Sequence, residues 1–159
     1  MTKRIVLAAA TAGHAEGGSL LNAFDNALLA AGIGNVNLVK VSSILPPDVS
    51  VVDLPKIKPG AIVPTAYAAM TSDVPGETIA AAVGYAVPDD PAKNGVIMEF
   101  HGRSTREEAR RAIEAMLQEA FRVRGEHIRE MKVFAVEHTV ERTGCALAAI
   151  ALLGEEDLA

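Results

Sequence analysis

The sequence predicts an α+β fold, a four-layer αββα sandwich of two stacked, largely antiparallel sheets flanked by helices. Three observations carry that expectation: about seven segments have strand character, two have a helical apolar stripe, and no linker, repeat or low-complexity stretch divides the 159 residues. Seven strands exceed what one small two-layer domain needs, and each helix must cover an apolar sheet face. Two sheets packed on each other with a helix outside each satisfy both demands. A single domain over residues 1–159 suits this length.

Taken in order, residues 5–11 form a short apolar strand and residues 12–18 a glycine-rich loop. Ser19 then caps a helix over residues 20–31, where Leu21, Phe24 and Leu28, and also Leu20, Ala27 and Ala31, recur at helical spacing before Gly32 and Gly34 stop it. Residues 35–44 are rich in β-branched side chains and close at Pro46-Pro47, residues that cannot continue a ladder. After a loop to Gly60, residues 61–71, 78–87 and 95–101 read as strands separated by the turn clusters at 73–76 and 88–91. The second helix spans residues 104–125, with Ser104 as N-cap, Glu107 completing a capping box, and Ala109, Ile113, Met116, Leu117 and Phe121 along one stripe. Residues 132–140 and 145–153 close the fold as a pair of strands.

Composition narrows the function. Half of the residues are hydrophobic and 22% are charged, which argues for a packed core and against disorder. The net charge is -5, with no Lys/Arg block to neutralise phosphates, so nucleic acid is not an expected partner. The single cysteine, Cys145, cannot form an intramolecular disulfide and lies in an apolar run, which fits a reducing cytoplasm. The apolar stretch at residues 5–10 is too short to cross a membrane and precedes no cleavage site, so neither export nor membrane insertion is expected.

Local chemistry is suggestive at three places. Ser42 and Ser43 end an apolar strand ahead of two prolines, a pair that by itself implies only side-chain hydrogen bonds to backbone at a strand-to-loop junction. Glu99 sits among Val96, Ile97, Met98 and Phe100, where it is either a strand glutamate on a solvated face or a buried carboxyl whose pKa is raised toward that of a useful general acid. Asp25 borders the apolar stripe of the first helix, where it is either a solvated helix residue or an acceptor for a planar guanidinium. Residues 13–19 resemble a phosphate loop but fall one residue short of GxxxxGK[ST] and lack its lysine, leaving a non-catalytic nucleotide-binding module as the rival reading. His14-Ala-Glu16 has the HxE of zinc deaminases without the following CxxC, and His101, His127 and His138 show no ligand spacing, so no metal is expected.

Several segments together bear a wider likeness. Residues 21–28 with 31–37, the Val41-Ser42-Ser43-Ile44 junction, Pro64-Thr65-Ala66-Tyr67, residues 72–79, Ile97-Met98-Glu99-Phe100 and residues 136–141 resemble the pyruvoyl-dependent arginine decarboxylase family over nearly the whole chain. The resemblance implies self-cleavage between Ser42 and Ser43, giving a small chain 1–42 and a larger chain 43–159 headed by a pyruvoyl group made from Ser43. Ser43 Oγ would attack the Ser42 carbonyl, and the resulting ester would undergo β-elimination to dehydroalanine, which hydrolyses to pyruvoyl and ammonia; serine suits both the nucleophilic and the leaving step. The covalent pyruvoyl group would then serve as the electron sink for decarboxylating arginine to agmatine, with another amino acid as the alternative substrate. The resemblance also implies Glu99 as proton donor, Asn37 as a polar group of the processing site, and Asp25, Leu21, Gly34, Val36 and Ile44 as substrate-binding residues. Asn37 and Ser43 would lie roughly 20 Å apart on a straight strand. The complete site is therefore expected between subunits of a homo-oligomer, in keeping with the trimers of the family. Glu137 and His138 match a family segment and are read as structural or supporting residues.

Overall fold

The computed structural model describes residues 3–159 and contains nine strands in two sheets with two helices. The first sheet has the order β2(Asn37–Lys40), β5(Ile62–Ser72), β9(Gly144–Leu153), β1(Leu7–Glu16), β4(Ser50–Val51). The second has the order β3(Ile44–Leu45), β7(Gly95–Arg103), β6(Thr78–Pro88), β8(Ile128–Thr139). All pairings between long strands are antiparallel; the short β2 and β4 join β5 and β1 in parallel. Helix α1(Leu20–Ala30) lies on the outer face of the first sheet and α2(Arg106–Arg124) on the outer face of the second. The αββα expectation holds, and neither helix is long and apolar enough to cross a membrane.

Side-chain alternation explains the layers. In β9, Cys145, Leu147 and Ala149 face α1, while Ala146, Ala148, Ile150 and Leu152 face the other sheet. In β6, Ala80, Ala82 and Ala86 face α2, while Ile79, Ala81, Val83 and Tyr85 face inward. Central strands covered on both faces need apolar residues at every position, which accounts for their unbroken runs. Alanine at so many of these positions lets the layers approach closely.

Several elements differ from the sequence expectation. β1 runs through Glu16, so the loop expected at residues 12–18 is mostly strand, paired with β9 up to Glu16–Gly144. Its Gly13 is a point of close approach: a Cβ there would stand 2.6 Å from the Ala27 carbonyl oxygen of α1. The expected α1 stripe is rotated, for Ala23, Ala27 and Leu28 are buried whereas Leu20 and Leu21 are exposed. The N-cap of α2 is Thr105, not Ser104; Thr105 Oγ1 accepts from the Glu108 backbone N–H and donates to the Glu108 carboxylate, so the cap lies one residue later than expected and the reciprocal bond of the expected Ser104–Glu107 capping box is not formed. The strand expected over residues 35–44 is two strands. β2 belongs to the first sheet and β3 to the second, and the chain crosses between sheets at residues 41–43.

Candidate active site

The crossing places Ser43 at the seam of the sandwich. The Val41 backbone N–H still donates to Thr65 of the first sheet, at 3.3 Å, while the Ser43 carbonyl accepts from Ile97 of the second, at 2.9 Å. Between them Ser42 is exposed and Ser43 is buried. Anchored to a different sheet on either side, the chain turns with Ser43 at φ +81°, and Ser43 is the one non-glycine residue with positive φ among the described residues. L-residues rarely adopt this conformation, which costs on the order of 1 to 3 kcal/mol and persists only where the surroundings over-determine it.

Ser43 Oγ donates to Glu99 Oε1 in a short contact and also lies 3.5 Å from the Val41 carbonyl. Strand alternation supplies the carboxylate: Ile97 and Glu99 share the inward face of β7, while Met98 and Phe100 point toward α2. Glu99 is half-buried and pairs across the ladder with the apolar Val83. Desolvation pushes its pKa above the ordinary carboxylate value, opposed by the Ser43 hydrogen bond, the Lys40 charge and a backbone hydrogen bond. A hydroxyl held against an acid of raised proton affinity, on a distorted backbone, can deliver a nucleophile to its own preceding carbonyl. The same acid is then placed to give a proton to a reacting carbon bound beside residue 43.

Of the other expected site residues, only Ile44 adjoins this pair within one chain. Asp25 and Leu21 stand exposed on α1, outside the first sheet, with Leu21 at 75% exposure. Asp25 thus faces solvent rather than the edge of the buried stripe expected for it. Asn37 is exposed at the edge of the first sheet, its Nδ2 donating to the Gly60 carbonyl at 3.3 Å. Because β2 ends at Lys40, the straight strand assumed in separating Asn37 from Ser43 is not present. Gly34 and Val36 line an open cavity of about 360 Å³ with Leu29, Lys56, Ile57 and Pro59, on the N-terminal side of β2. Ile44 is exposed beside Ser43. A second cavity, of about 400 Å³ beyond Leu45, contains none of the expected site residues.

Two features escaped the sequence reading. Lys40 acts on Glu99 through its charge and rests over the Tyr67 ring, 5.1 Å from the centroid. Glu16, His138 and His14 form a chain in which Glu16 Oε2 meets His138 Nε2 at 2.5 Å and the Nδ1 atoms of the two rings lie 2.9 Å apart, so one ring donates and the other accepts. Glu16 also accepts backbone N–H bonds from Glu141, Arg142 and Thr143. Its HxE spacing was the available signal, and it holds a turn rather than a metal; no metal-binding cluster occurs among the described residues.

The nucleotide-binding alternative loses its loop, since Gly13 to Glu16 are paired strand. Comparison with known proteins points elsewhere. The model of the family "Pyruvoyl-dependent arginine decarboxylase" matches residues 7–157. A pyruvoyl-dependent arginine decarboxylase of Methanocaldococcus jannaschii is 52% identical over 141 residues, covering 89% of this chain and 86% of the relative. That of Pyrococcus abyssi is 48% identical over 153 residues, covering 94% of each. Among solved structures, a pyruvoyl-dependent histidine decarboxylase at pH 8 aligns with a TM-score of 0.51 and 16% identity over 61% of this chain and 52% of that one, a likeness of fold.

Proposed function

The chain belongs to the pyruvoyl-dependent arginine decarboxylase family, and from that premise we propose that it cuts itself between Ser42 and Ser43 and decarboxylates arginine to agmatine and carbon dioxide. The observation that carries the residue assignment is the buried Ser43 hydroxyl, at positive φ in the crossing between sheets and hydrogen-bonded to Glu99.

Processing is local chemistry. Ser43 Oγ attacks the Ser42 carbonyl carbon, the C–N bond of that peptide breaks, and the acyl group passes to oxygen. Loss of a proton from Cα and of the Ser42 carboxylate from Cβ leaves dehydroalanine, and water then replaces its nitrogen, releasing ammonia. The Ser43 site fits the product, because the pyruvoyl group retains the carbon skeleton of residue 43 and needs no additional cavity. The pyruvoyl group supplies a carbonyl electron sink for the pair released with carbon dioxide. Glu99 supplies the proton that replaces the lost carboxylate, and its half-buried position beside residue 43 excludes much of the water that would compete.

Substrate choice is assigned to Asp25, whose carboxylate can accept two parallel guanidinium hydrogen bonds, with Leu21, Gly34, Val36 and Ile44 shaping the site and Asn37 adding a polar group. One chain sets Asp25 and Leu21 on the outer helix and Asn37 on the sheet edge, with only Ile44 beside Ser43, so the complete site is assigned to the junction between subunits of a trimer. Exposed apolar residues at Leu21, Leu29, Val39, Ile44 and Ile62 support an assembly that covers them. The buried free thiol of Cys145 fits a reducing cytoplasm.

Intact mass tests the central step: wild-type protein yields two separate chains, residues 1–42 and 43–159, and Ser43→Ala a single chain of 16.6 kDa without a carbonyl group or activity. Two fragments from Ser43→Ala would sink the processing assignment. A panel of amino acids, followed by carbon dioxide release, separates arginine from the alternative substrates.

A further inference from the structure

The cut changes what holds residue 43. Before it, the crossing is tied on both sides: the Val41 N–H donates to the Thr65 carbonyl of the first sheet, and the Ser43 carbonyl accepts from the Ile97 N–H of the second. Cutting between Ser42 and Ser43 leaves the first tie on the small chain, and residues 43–49 become the leading arm of the large one. That arm has little backbone to rely on. Its strand β3 pairs only Ile44 with Val96 and Leu45 with Gly95, and the next fixed point is Ser50 of β4, whose N–H donates to the Val6 carbonyl.

So short a strand carries little register information of its own, yet the reaction depends on register. Gly95, Ile97 and Glu99 take alternate positions on the inward face of β7, and the β3 pairing sets residue 43 opposite Ile97, one inward position from Glu99. A slip of one residue would turn residue 43 out of the inter-sheet space, and a slip of two toward the β6–β7 turn would set it opposite Gly95, away from Glu99. The side chain that opposes slippage is Leu45. It is 2% exposed and belongs to the inter-sheet core, whereas Ile44 and Pro47 beside it are exposed. Its seat is the bare backbone of Gly95, where a Cβ would stand 3.2 Å from both Leu45 Cβ and Leu45 Cδ2 and 2.7 Å from the Ala86 carbonyl oxygen. On its far side Leu45 borders the cavity of about 400 Å³, so an arm without this seat has room to move.

We propose that Leu45 is a positioning residue for the decarboxylation: seated on Gly95, it pins the register of β3 and holds the pyruvoyl end of the large chain against Glu99 once the cut has released the other side. This rests on processing at Ser43 and on Glu99 as proton donor. Leu45 touches no reacting atom. Its effect is on placement, and a misplacement of about 1 Å can cost on the order of 10²-fold in rate.

Leu45→Ala truncates a core side chain and lowers stability in any case, so the discriminating measurement is whether its effect depends on the cut. The Ile97 N–H reports the arm directly, because its acceptor is the residue 43 carbonyl, which the pyruvoyl group retains. The Met98 N–H, which by strand alternation faces β6 on the other side of the same strand, is the internal control. Exchange of both amides with deuterated water is followed by NMR in the full protein, processed and in a Ser43→Ala background. In processed protein Leu45→Ala should speed Ile97 exchange about tenfold or more and leave Met98 unchanged. In the uncut background, where the Val41–Thr65 tie persists in the same chain, the acceleration should be much smaller. Processed Leu45→Ala should also lose roughly 10²-fold in kcat with little change in KM for arginine, and Leu45→Met, which refills the seat, should restore both readings. Leu45→Val serves in the same comparison if the alanine variant does not fold. Equal acceleration with and without the cut would make Leu45 a core residue only and overturn the proposal, as would unchanged Ile97 exchange, a loss confined to KM, or full kcat despite fast exchange. A wild-type chain that stays whole by intact mass would sink the processing reading itself and take this proposal with it.

Discussion

At the scale of single residues, the site is a conflict resolved by distance. Glu99 is drawn toward its protonated form by burial and toward its ionised form by Ser43 and Lys40. If it gives the proton after carbon dioxide leaves, Glu99→Gln keeps the size and polarity of the side chain but removes the transferable proton. A fully processed Glu99→Gln enzyme should lose roughly 10²-fold or more in kcat, measured as agmatine formed per pyruvoyl group. Near wild-type turnover would remove Glu99 from the role. Glu99 and Ser43 were legible in the sequence, one from its apolar neighbours and both from the resemblance. The positive φ of Ser43 and the field of Lys40 were not, because both arise from the chain changing sheets between residues 40 and 44. A local pattern of β-branched residues cannot report such a change, since which sheet a strand joins is decided by partners far along the chain.

At the scale of elements, Glu16 ties β1 to the turn between β8 and β9. Burial alone would raise its pKa, but the His138 hydrogen bond and three backbone N–H donors outweigh burial and bring it down to about 2 from 4.5. Because the folded value lies below the unfolded one, the stabilisation is fully present above about pH 4.5 and is lost as pH falls through that value toward 2. Comparing thermal midpoints of wild type and Glu16→Gln should show a gap worth about 1 to 2 kcal/mol near pH 6, allowing for solvent screening, that closes in this acid window. A gap independent of pH would mean that the carboxylate charge is not what holds the turn. Gly144 makes the arrangement possible, since a Cβ there would stand 2.6 Å from Glu16 Oε2. Helix α1 makes a second prediction. Leu21, Asp25 and Leu29 follow one another at i, i+4 spacing along its exposed side. If assembly closes that ridge over substrate, Asp25→Asn should still be processed yet lose roughly 10- to 150-fold in kcat/KM for arginine. Unchanged kinetics with equal pyruvoyl content would leave Asp25 a helix-face residue. The helices themselves were readable from their period, and α1 from its Ser19 cap, although the cap of α2 fell one residue later than expected; the extension of β1 was masked by Gly13. Glycine there reads as a loop, but its task is to let α1 lie against the strand.

At the scale of the whole molecule, the proposed cut divides sequence and architecture differently. The small chain would contain β1, α1 and β2, and the large chain everything else. Yet β1 pairs with β9 over ten residues, from Leu7–Leu153 to Glu16–Gly144, and α1 is packed against β9 and β5 of the large chain. The fragments should therefore stay together in native buffer, and their separation should coincide with global unfolding. The antiparallel layers were foreseeable because alternation fixes which face of each strand is apolar. Their neighbour order was not, as β1 and β9 come from opposite ends of the sequence. That interleaving changes the molecularity of folding. Before the cut, β1 finds its place by closing a loop within one chain, a process whose rate is independent of concentration. Afterwards the same ladder must form between two separate molecules. Ser43→Ala should refold from denaturant in a first step whose rate is the same at any dilution, whereas processed protein should refold more slowly the more it is diluted. Equal concentration dependence of that early step would show that the interleaving does not govern folding. The order of events in maturation is then not interchangeable: a chain of this topology folds first as one molecule, and a later unfolding turns its recovery into a search for a partner.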